Sequence, residues 1–425
     1  MKKILVICAT FPPQSDVGGV RPAMFCKFLP EFGWEPFVLT RDYTREDSRF
    51  NTNLDIGEVL DDHHIFRIPF SHEDEKRYLK DRRLLGLVRD FFVPEYSSPP
   101  GLLDRMKVAS DEICRNEQFD IILSTSPDQW QLTLGAWLSR KYRIPLIADF
   151  RDIGEQEAGL ERNARQALQR FRLQSRRKQT VRYAELVTTV SKYHQHTLQT
   201  KTGKRTALIY NGFDETLFHP VAMRNAVDSG PLRIVYTGRI LSLWYRNPAI
   251  LFQAIDELIS EQKIHQDEIL LDFYGSDHAV LAPILTSLNN DKFYRLHESV
   301  SYSMMPAILA ESQLLLVLTN RGRKGILTTK LFEYIGMRKP ILCVPGDGGE
   351  LDELIHEFSL GASVSSKEEM KVRLLEWLGR WRSGTLPVSI ASDVSVFSRR
   401  NQAKLLSDEM EELLATHRAA KAVAV

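Results

Sequence analysis

The sequence predicts an α/β protein made of two facing Rossmann-like domains with a cleft between them. Three observations carry this expectation. At 425 residues the chain is long for one hydrophobic core, and two domains are the default. Short, continuous apolar runs recur in both halves, as expected of strands buried on both faces of a parallel sheet. Candidate phosphate-binding residues gather in the second half, without a Walker-type glycine loop.

Composition narrows the function classes. Hydrophobic residues make up 43% and charged residues 26%, as in an ordinary soluble globular protein. A net charge of +1 argues against a general nucleic-acid binder. Cys8, Cys26, Cys114 and Cys343 show no C-x-x-C spacing, which fits a reducing compartment without structural metal or disulfides. Met1-Lys-Lys leads into Ile4–Ala9, an apolar run too short for a signal peptide and followed by Pro12-Pro13 and Asp16. No apolar run approaches the roughly 20 residues needed to span a bilayer. A cytoplasmic location is therefore expected.

In the first half, Ile4–Ala9 reads as a strand, Thr10–Pro22 as a turn-rich loop, and a helix is expected from about Pro22 to Phe32. Gly18-Gly19 lets backbone approach a ligand closely, although G-x-G-x-x-G spacing is missing. Strands follow at Pro36–Thr40 and Ile65–Pro69, then a poorly periodic insertion between Glu73 and Pro100. Asp104–Asn116 and Gln131–Lys141 read as helices, and Asp120–Ser124 and Pro145–Phe150 as strands. The last of these ends in Asp149-Phe-Arg-Asp152, where α/β folds place their chemistry. Pairing of Arg151 with Asp149 or Asp152 is the purely structural alternative. Strands Leu186–Ser191 and Thr206–Tyr210 complete a first domain of residues 1–214. A linker is expected over 215–231.

The second domain, 232–396, repeats the alternation. Strand Arg233–Thr237 runs into Gly238-Arg239, a loop through Arg246, and helix Pro248–Glu261. Guanidinium groups at Arg239 and Arg246 suit a diphosphate. Strands Ile269–Tyr274 (followed by Gly275), Phe293–Leu296, Leu314–Leu318 and Ile341–Val344 follow, with a helix at Leu351–Glu357. Between the last two strands a loop, Thr319–Gly325, precedes a helix over Thr328–Met337. Its start offers free N–H groups, the hydroxyls of Thr328 and Thr329, and the charge of Lys330, all suited to phosphate. Glu333, three residues on, suits a vicinal diol such as ribose. An ordinary N-cap followed by a surface Lys–Glu pair is the alternative. A terminal helix is expected over 397–425.

Thr328-Thr-Lys-Leu-Phe-Glu-Tyr334, followed by Lys339-Pro-Ile-Leu342, resembles the donor segment of retaining GT-B glycosyltransferases, in particular the GT4-like bacterial ones. The resemblance spans nearly the whole chain and implies transfer of a hexosyl group from a nucleotide sugar, such as a UDP- or GDP-sugar, to a hydroxyl acceptor. It implies no metal and no cofactor beyond that donor. By the same resemblance Glu333 holds the ribose. Gly18, Gly19, Gly238, Gly275, Thr328, Thr329 and Leu331 line the donor, and Arg239, Arg246 and Lys330 are catalytic, stabilising the departing diphosphate. Asp149, Arg151 and Asp152 lie on the acceptor side, Asn211-Gly-Phe-Asp214 matches a hinge-side signature, and the terminal helix crosses back to the first domain. Two departures stand out: Gly325 replaces a glutamate eight positions before Glu333, and Trp130-Gln-Leu-Thr133 lacks the histidine often found there. A nucleotide-sugar epimerase or phosphorylase of the same architecture, and a non-catalytic nucleotide-sugar-binding subunit, remain the alternatives.

Two basic stretches bear on the acceptor. Lys76–Arg89 carries six Lys or Arg against one acid and leads into Phe91-Phe-Val93, and Arg162–Arg182 carries eight and no acid. Both alternate with apolar residues, as in helices that lie on anionic membranes. They point to a lipid-linked acceptor and reversible contact at the inner face of the membrane; the resemblance implies a saccharide or lipid-linked acceptor in bacterial polysaccharide or glycolipid assembly. Solvated cationic helices are the alternative.

Overall fold

The computed structural model describes residues 1–13, 17–42, 59–69, 101–126, 129–157, 164–222, 230–319, 322–386 and 390–423. The expected insertion with its basic stretch 76–93, residue Arg162, and 223–229 of the expected linker lie outside the described residues. The chain forms two compact units, Met1–Tyr210 together with Arg399–Val425, and Asn211–Ser398.

In the first unit the elements run β1 (Lys2–Ile7), α1 (Val17–Phe28), β2 (Trp34–Asp42), β3 (Ile65–Pro69), α2 (Leu102–Asn116), β4 (Ile121–Thr125), α3 (Gln129–Tyr142), β5 (Leu146–Phe150), α4 (Ala164–Val181), β6 (Leu186–Thr189), α5 (Lys192–Thr202) and β7 (Thr206–Leu208). Seven parallel strands lie in the order β3-β2-β1-β4-β5-β6-β7. Strand β1 shows why the apolar runs are continuous. Ile4 and Val6 enter one core with Met24 and Phe25 of α1, while Leu5 and Ile7 enter a second with Met106 of α2 and Leu134 of α3. A strand covered on both faces has no polar side to alternate with.

The second unit runs α6 (Glu215–Ala222), β8 (Leu232–Thr237), α7 (Ala249–Ser260), β9 (Ile269–Tyr274), α8 (His278–Leu285), β10 (Tyr294–His297), α9 (Met305–Ala310), β11 (Leu314–Leu318), α10 (Thr329–Gly336), β12 (Ile341–Val344), α11 (Glu350–Glu357), β13 (Gly361–Ser363) and α12 (Lys367–Arg382). Its six-stranded parallel sheet has the order β10-β9-β8-β11-β12-β13. Counted from each unit's first strand, both sheets follow the doubly wound order 3-2-1-4-5-6, whose switch point lies between the first and fourth strands.

Several expectations change. Helix α1 begins at Val17, so Gly18 and Gly19 sit in its first turn and Pro22 lies inside it. The division between units falls after Tyr210, and the expected linker opens with α6, whose Phe218 is fully buried. Strand β13 and helices α5, α6 and α12 were not anticipated. The last helix, α13 (Arg399–Val423), belongs to the first unit. Its Ala403, Leu406, Met410, Leu413 and Leu414 complete the core that holds Ala23 and Met24. Trp34 Nε1 donates to Ser407 Oγ at 3.2 Å, and Arg205 pairs with Glu409 at 2.5 Å. Among the described residues no helix is long and apolar enough to cross a membrane.

Candidate functional site

Chemistry in a doubly wound sheet is expected beyond the carboxyl ends of the strands at the switch point. In the second unit that is where β8 ends and α10 begins. Beyond Thr237 the chain turns at Gly238, whose φ of +122° favours glycine. A Cβ there would overlap Lys330 Cε and lie 2.5 Å from Lys330 Nζ, so the lysine side chain rests directly on the glycine. Gly275, at φ +76°, flanks the same turn, and Ser276 Oγ donates to the Gly238 carbonyl at 3.0 Å.

The Lys330 ammonium has no hydrogen-bond acceptor among the described residues. Burial pushes its pKa down, Glu333 one turn away partly restores it, and the Arg246 charge lowers it again. Arg246 sits near the buried, unpaired Tyr236 hydroxyl; burial raises that phenol's pKa and Arg246 opposes the rise. Arg246 also donates to the Arg239 carbonyl at 3.4 Å. Lys330 and Arg246 are thus brought into one field. Arg239 contributes its carbonyl there, while its residue is exposed.

Helix α10 presents its start to this turn. Thr328 is the N-cap, extended at φ −70° and ψ 154°, and its hydroxyl makes no capping bond. The first N–H groups of the helix, at Thr329 and Lys330, have no acceptor within it. Leu331 is fully buried and its N–H bonds to the Thr328 carbonyl at 3.1 Å. That corrects the expectation that it lines the donor: it anchors the helix in the core. Tyr334, missed in the sequence, ties the helix to the strand end. Its hydroxyl accepts from the Thr237 N–H at 3.0 Å and lies 3.0 Å from Thr237 Oγ1. Gly325 has φ +70°, a backbone that a glutamate would adopt only with strain.

At the first unit's switch point the acceptor-side residues divide. Asp149 is fully buried. It accepts from Arg21 Nη2 at 2.9 Å and Nε at 3.2 Å, and from the Thr125 and Thr188 hydroxyls at 2.8 Å each. Burial alone would raise its pKa, but the Arg21 charge and these hydrogen bonds outweigh it and hold the carboxyl below its usual range. With its oxygens so occupied, Asp149 is an internal strut rather than a ligand group. Arg21 was overlooked because it lies in a stretch that reads as loop.

Arg151 pairs with neither aspartate. Its Nε donates to the Ser126 carbonyl at 2.6 Å and its Nη1 to the Gly18 carbonyl at 2.5 Å. Pro22 explains the second bond. Gly18 would normally accept from the N–H four residues on, proline has none, and the guanidinium takes the freed carbonyl. A side chain at Gly18 would press on it, with Cβ 3.1 Å from Nη1. Gly19 lies against Thr10. Asp152 is exposed and accepts from Gln156 Nε2 at 3.2 Å. In basic helix α4, Arg177 is buried in a bidentate pair with Glu155 at 2.8 and 2.6 Å. The described residues also bring ligand atoms of Asp61, His63 and His64 within 4.8 Å of one another, a grouping absent from the sequence expectation.

Two doubly wound parallel units with these switch-point loops place the chain in the GT-B class of folds. Within the first unit and the start of the second, residues 20–217 match the model of Glycosyltransferase Family 4. Similar solved structures show the same fold across the whole chain. Sucrose-phosphate synthase from Thermosynechococcus elongatus is 12% identical, with a TM-score of 0.67 over 98% of this chain and 100% of that one. HepE of Anabaena, solved with UDP-glucose, is 18% identical, with a TM-score of 0.58 over 98% and 100%. A putative UDP-N-acetylglucosamine 2-epimerase from Listeria monocytogenes is 14% identical, with a TM-score of 0.56 over 97% and 98%. No curated protein sequence matches the chain.

Proposed function

We propose that this chain transfers a hexosyl group from a nucleoside-diphosphate sugar to a hydroxyl acceptor. It does so with retention and without metal or further cofactor, in bacterial polysaccharide or glycolipid assembly. The observation that carries this reading is the Lys330 ammonium, half-buried and without an acceptor among the described residues, lying on Gly238 beside the open start of α10. A partly buried cation next to free N–H groups is prepared for the charge that develops on a departing diphosphate. Arg246 adds to that field and Arg239 reaches it from solvent. Glu333 takes the ribose hydroxyls, with Thr328 and Thr329 donating to phosphate oxygens. Arg151, Asp152 and the Gly18-Gly19 turn serve the acceptor. The acceptor is lipid-linked, and the enzyme works in the cytoplasm against the inner face of the membrane.

Calorimetric titration with a panel of nucleoside diphosphates tests the donor site. Glu333→Gln is expected to weaken the best ligand by about 1–3 kcal/mol, the range for a lost charge-assisted hydrogen bond. Unchanged affinity removes the ribose assignment. Release of free sugar or glycosylated product from a nucleotide sugar separates transfer from epimerisation, which alters the donor with no acceptor present. Absence of any turnover leaves the binding-subunit reading that Gly325 favours.

A further inference from the structure

Beyond the donor site, the first unit carries a groove of about 450 Å³ bounded by α2, α3 and α4. Lys107, Arg140, Arg176 and Arg182 line it, and no carboxylate does. None of these four cations has an ion pair among the described residues. Their neighbours differ: Lys141 and Arg115 pair with Asp111, and Arg177 with Glu155. The floor is apolar and aromatic, formed by Trp130 and Trp137 of α3 with Tyr183. Arg140 and Arg182 stand 4.8 and 4.6 Å from the Tyr183 ring centre, and the Lys107 ammonium 5.9 Å from that of Trp137. Cations around an apolar floor match a ligand that is anionic at one end and apolar at the other.

Helix α4 shows where such a ligand comes from. Spacings of three and four place Leu168, Phe171, Ser175 and Gln179 in one row along it, and Arg182 continues the row just past its end. Gln179 and Arg182 line the groove, while Phe171 is 64% exposed and Leu168 38%. A soluble phosphorylated sugar accounts for the arginines but not for a bare phenylalanine in the row that ends at Arg182. A lipid leaflet accounts for both.

We propose that this groove seats the phosphate headgroup of an anionic phospholipid, with Phe171 and Leu168 entering the leaflet beside it. The proposal rests on the membrane-surface part of the function above and gives it a location. Arg140, Arg176 and Arg182 meet the phosphate, and the first part of the acyl chains lies over Trp137. Contact is reversible, because each cation contributes modestly near an anionic surface and the attraction is screened by salt.

Co-sedimentation of the full chain with vesicles tests this. At low salt it is expected to bind phosphatidylglycerol–phosphatidylcholine vesicles and not phosphatidylcholine alone. Arg176→Glu and Arg182→Glu should each weaken binding at least about fivefold, as one lost surface cation would, and Phe171→Ser should weaken it with no change in charge. Lys201→Glu, on α5 outside the groove and off this face, should have the smaller effect. Unchanged melting temperatures show that the variants fold. No sedimentation with phosphatidylglycerol overturns the proposal, as does equal loss from Lys201→Glu, which means diffuse attraction. A thermal shift with glycerol phosphate that depends on Arg176, without vesicle binding, assigns the groove to a soluble phosphate and also overturns it. The vesicles carry neither acceptor nor nucleotide sugar, so each negative result leaves the transferase reading to calorimetry.

Discussion

Replacing Arg21 with methionine isolates the strut beneath the first unit's switch point. Arg21 and Asp149 are both almost wholly removed from water. In Arg21→Met the carboxylate keeps two hydroxyl donors, at 2.8 Å each, but loses its counter-charge. The Tyr210 carbonyl loses the donor 3.0 Å away. Stranding one partner of a buried pair costs about 3–5 kcal/mol, which for a unit of this size lowers the melting temperature by about 6–20 °C. The pH dependence gives the sharper test. In the native protein the depressed Asp149 pKa supplies stability that is present above the unfolded value of about 3.9 and lost as pH falls through the folded pKa. In Arg21→Met only the Thr125 and Thr188 hydroxyls oppose burial, which now dominates and raises that pKa, so the variant regains stability, relative to the parent, as acid neutralises the stranded charge. The deficit is therefore largest at neutral pH and shrinks on acidification. Arg21→Met with Asp149→Leu should recover most of it. Calorimetric melting of the parent and the variants between about pH 4 and 8 measures all of this. A deficit below about 1 kcal/mol, or one independent of pH, refutes the strut and returns Asp149 to the acceptor side.

Three further outcomes are expected. Lys330→Ala should lower turnover under saturating donor by more than tenfold, the effect of removing a donor aimed at developing charge, with little change in melting temperature; wild-type turnover refutes its part in departure. Tyr334→Phe should cost about 0.5–1.5 kcal/mol in thermal melting and also slow turnover, because the Thr237 N–H it holds leads into Gly238. Lys339 is buried with no partner for its Nζ, and burial pushes its pKa down. Lys339→Met should raise stability by about 1–3 kcal/mol at neutral pH. That gain should shrink as pH rises through the depressed folded pKa towards 10.5, since the parent then sheds the charge; a destabilised variant at neutral pH refutes the argument.

Most strands were legible because a strand sandwiched between helix layers is largely apolar, and Leu314–Leu318 and Ile341–Val344 show this plainly. β13 was not: Gly361-Ala-Ser363 has no apolar run, and only its pairing with β12 makes it a strand. The start of α1 was misplaced because Pro22 reads as a helix beginning. What permits it five residues in is Arg151, over a hundred residues away in sequence. The segment expected to bind the donor, Thr328 to Glu333, stands out as a pattern of residue types because it falls together on the cap and first turns of one short helix. The Arg21–Asp149 pair does not, since neither residue carries a local sign of its partner. Leu331 was misjudged for a related reason: a motif names positions, and burial decides which of them face a ligand.

Helix α13 has a consequence for how the protein is made. The first unit leaves the ribosome first, yet its core stays open until Ala403, Leu406, Met410, Leu413 and Leu414 arrive. The whole of Asn211–Ser398 must be translated in between. At roughly 5–20 residues per second, the nascent first unit waits on the order of ten to forty seconds with the apolar faces of Ala23, Met24 and Leu29 uncovered. The second unit, one continuous segment, can finish folding ahead of it. The order of completion is the reverse of the order of synthesis. A released chain ending at Ser398 would therefore hold a folded second unit and a first unit that chaperones still recognise.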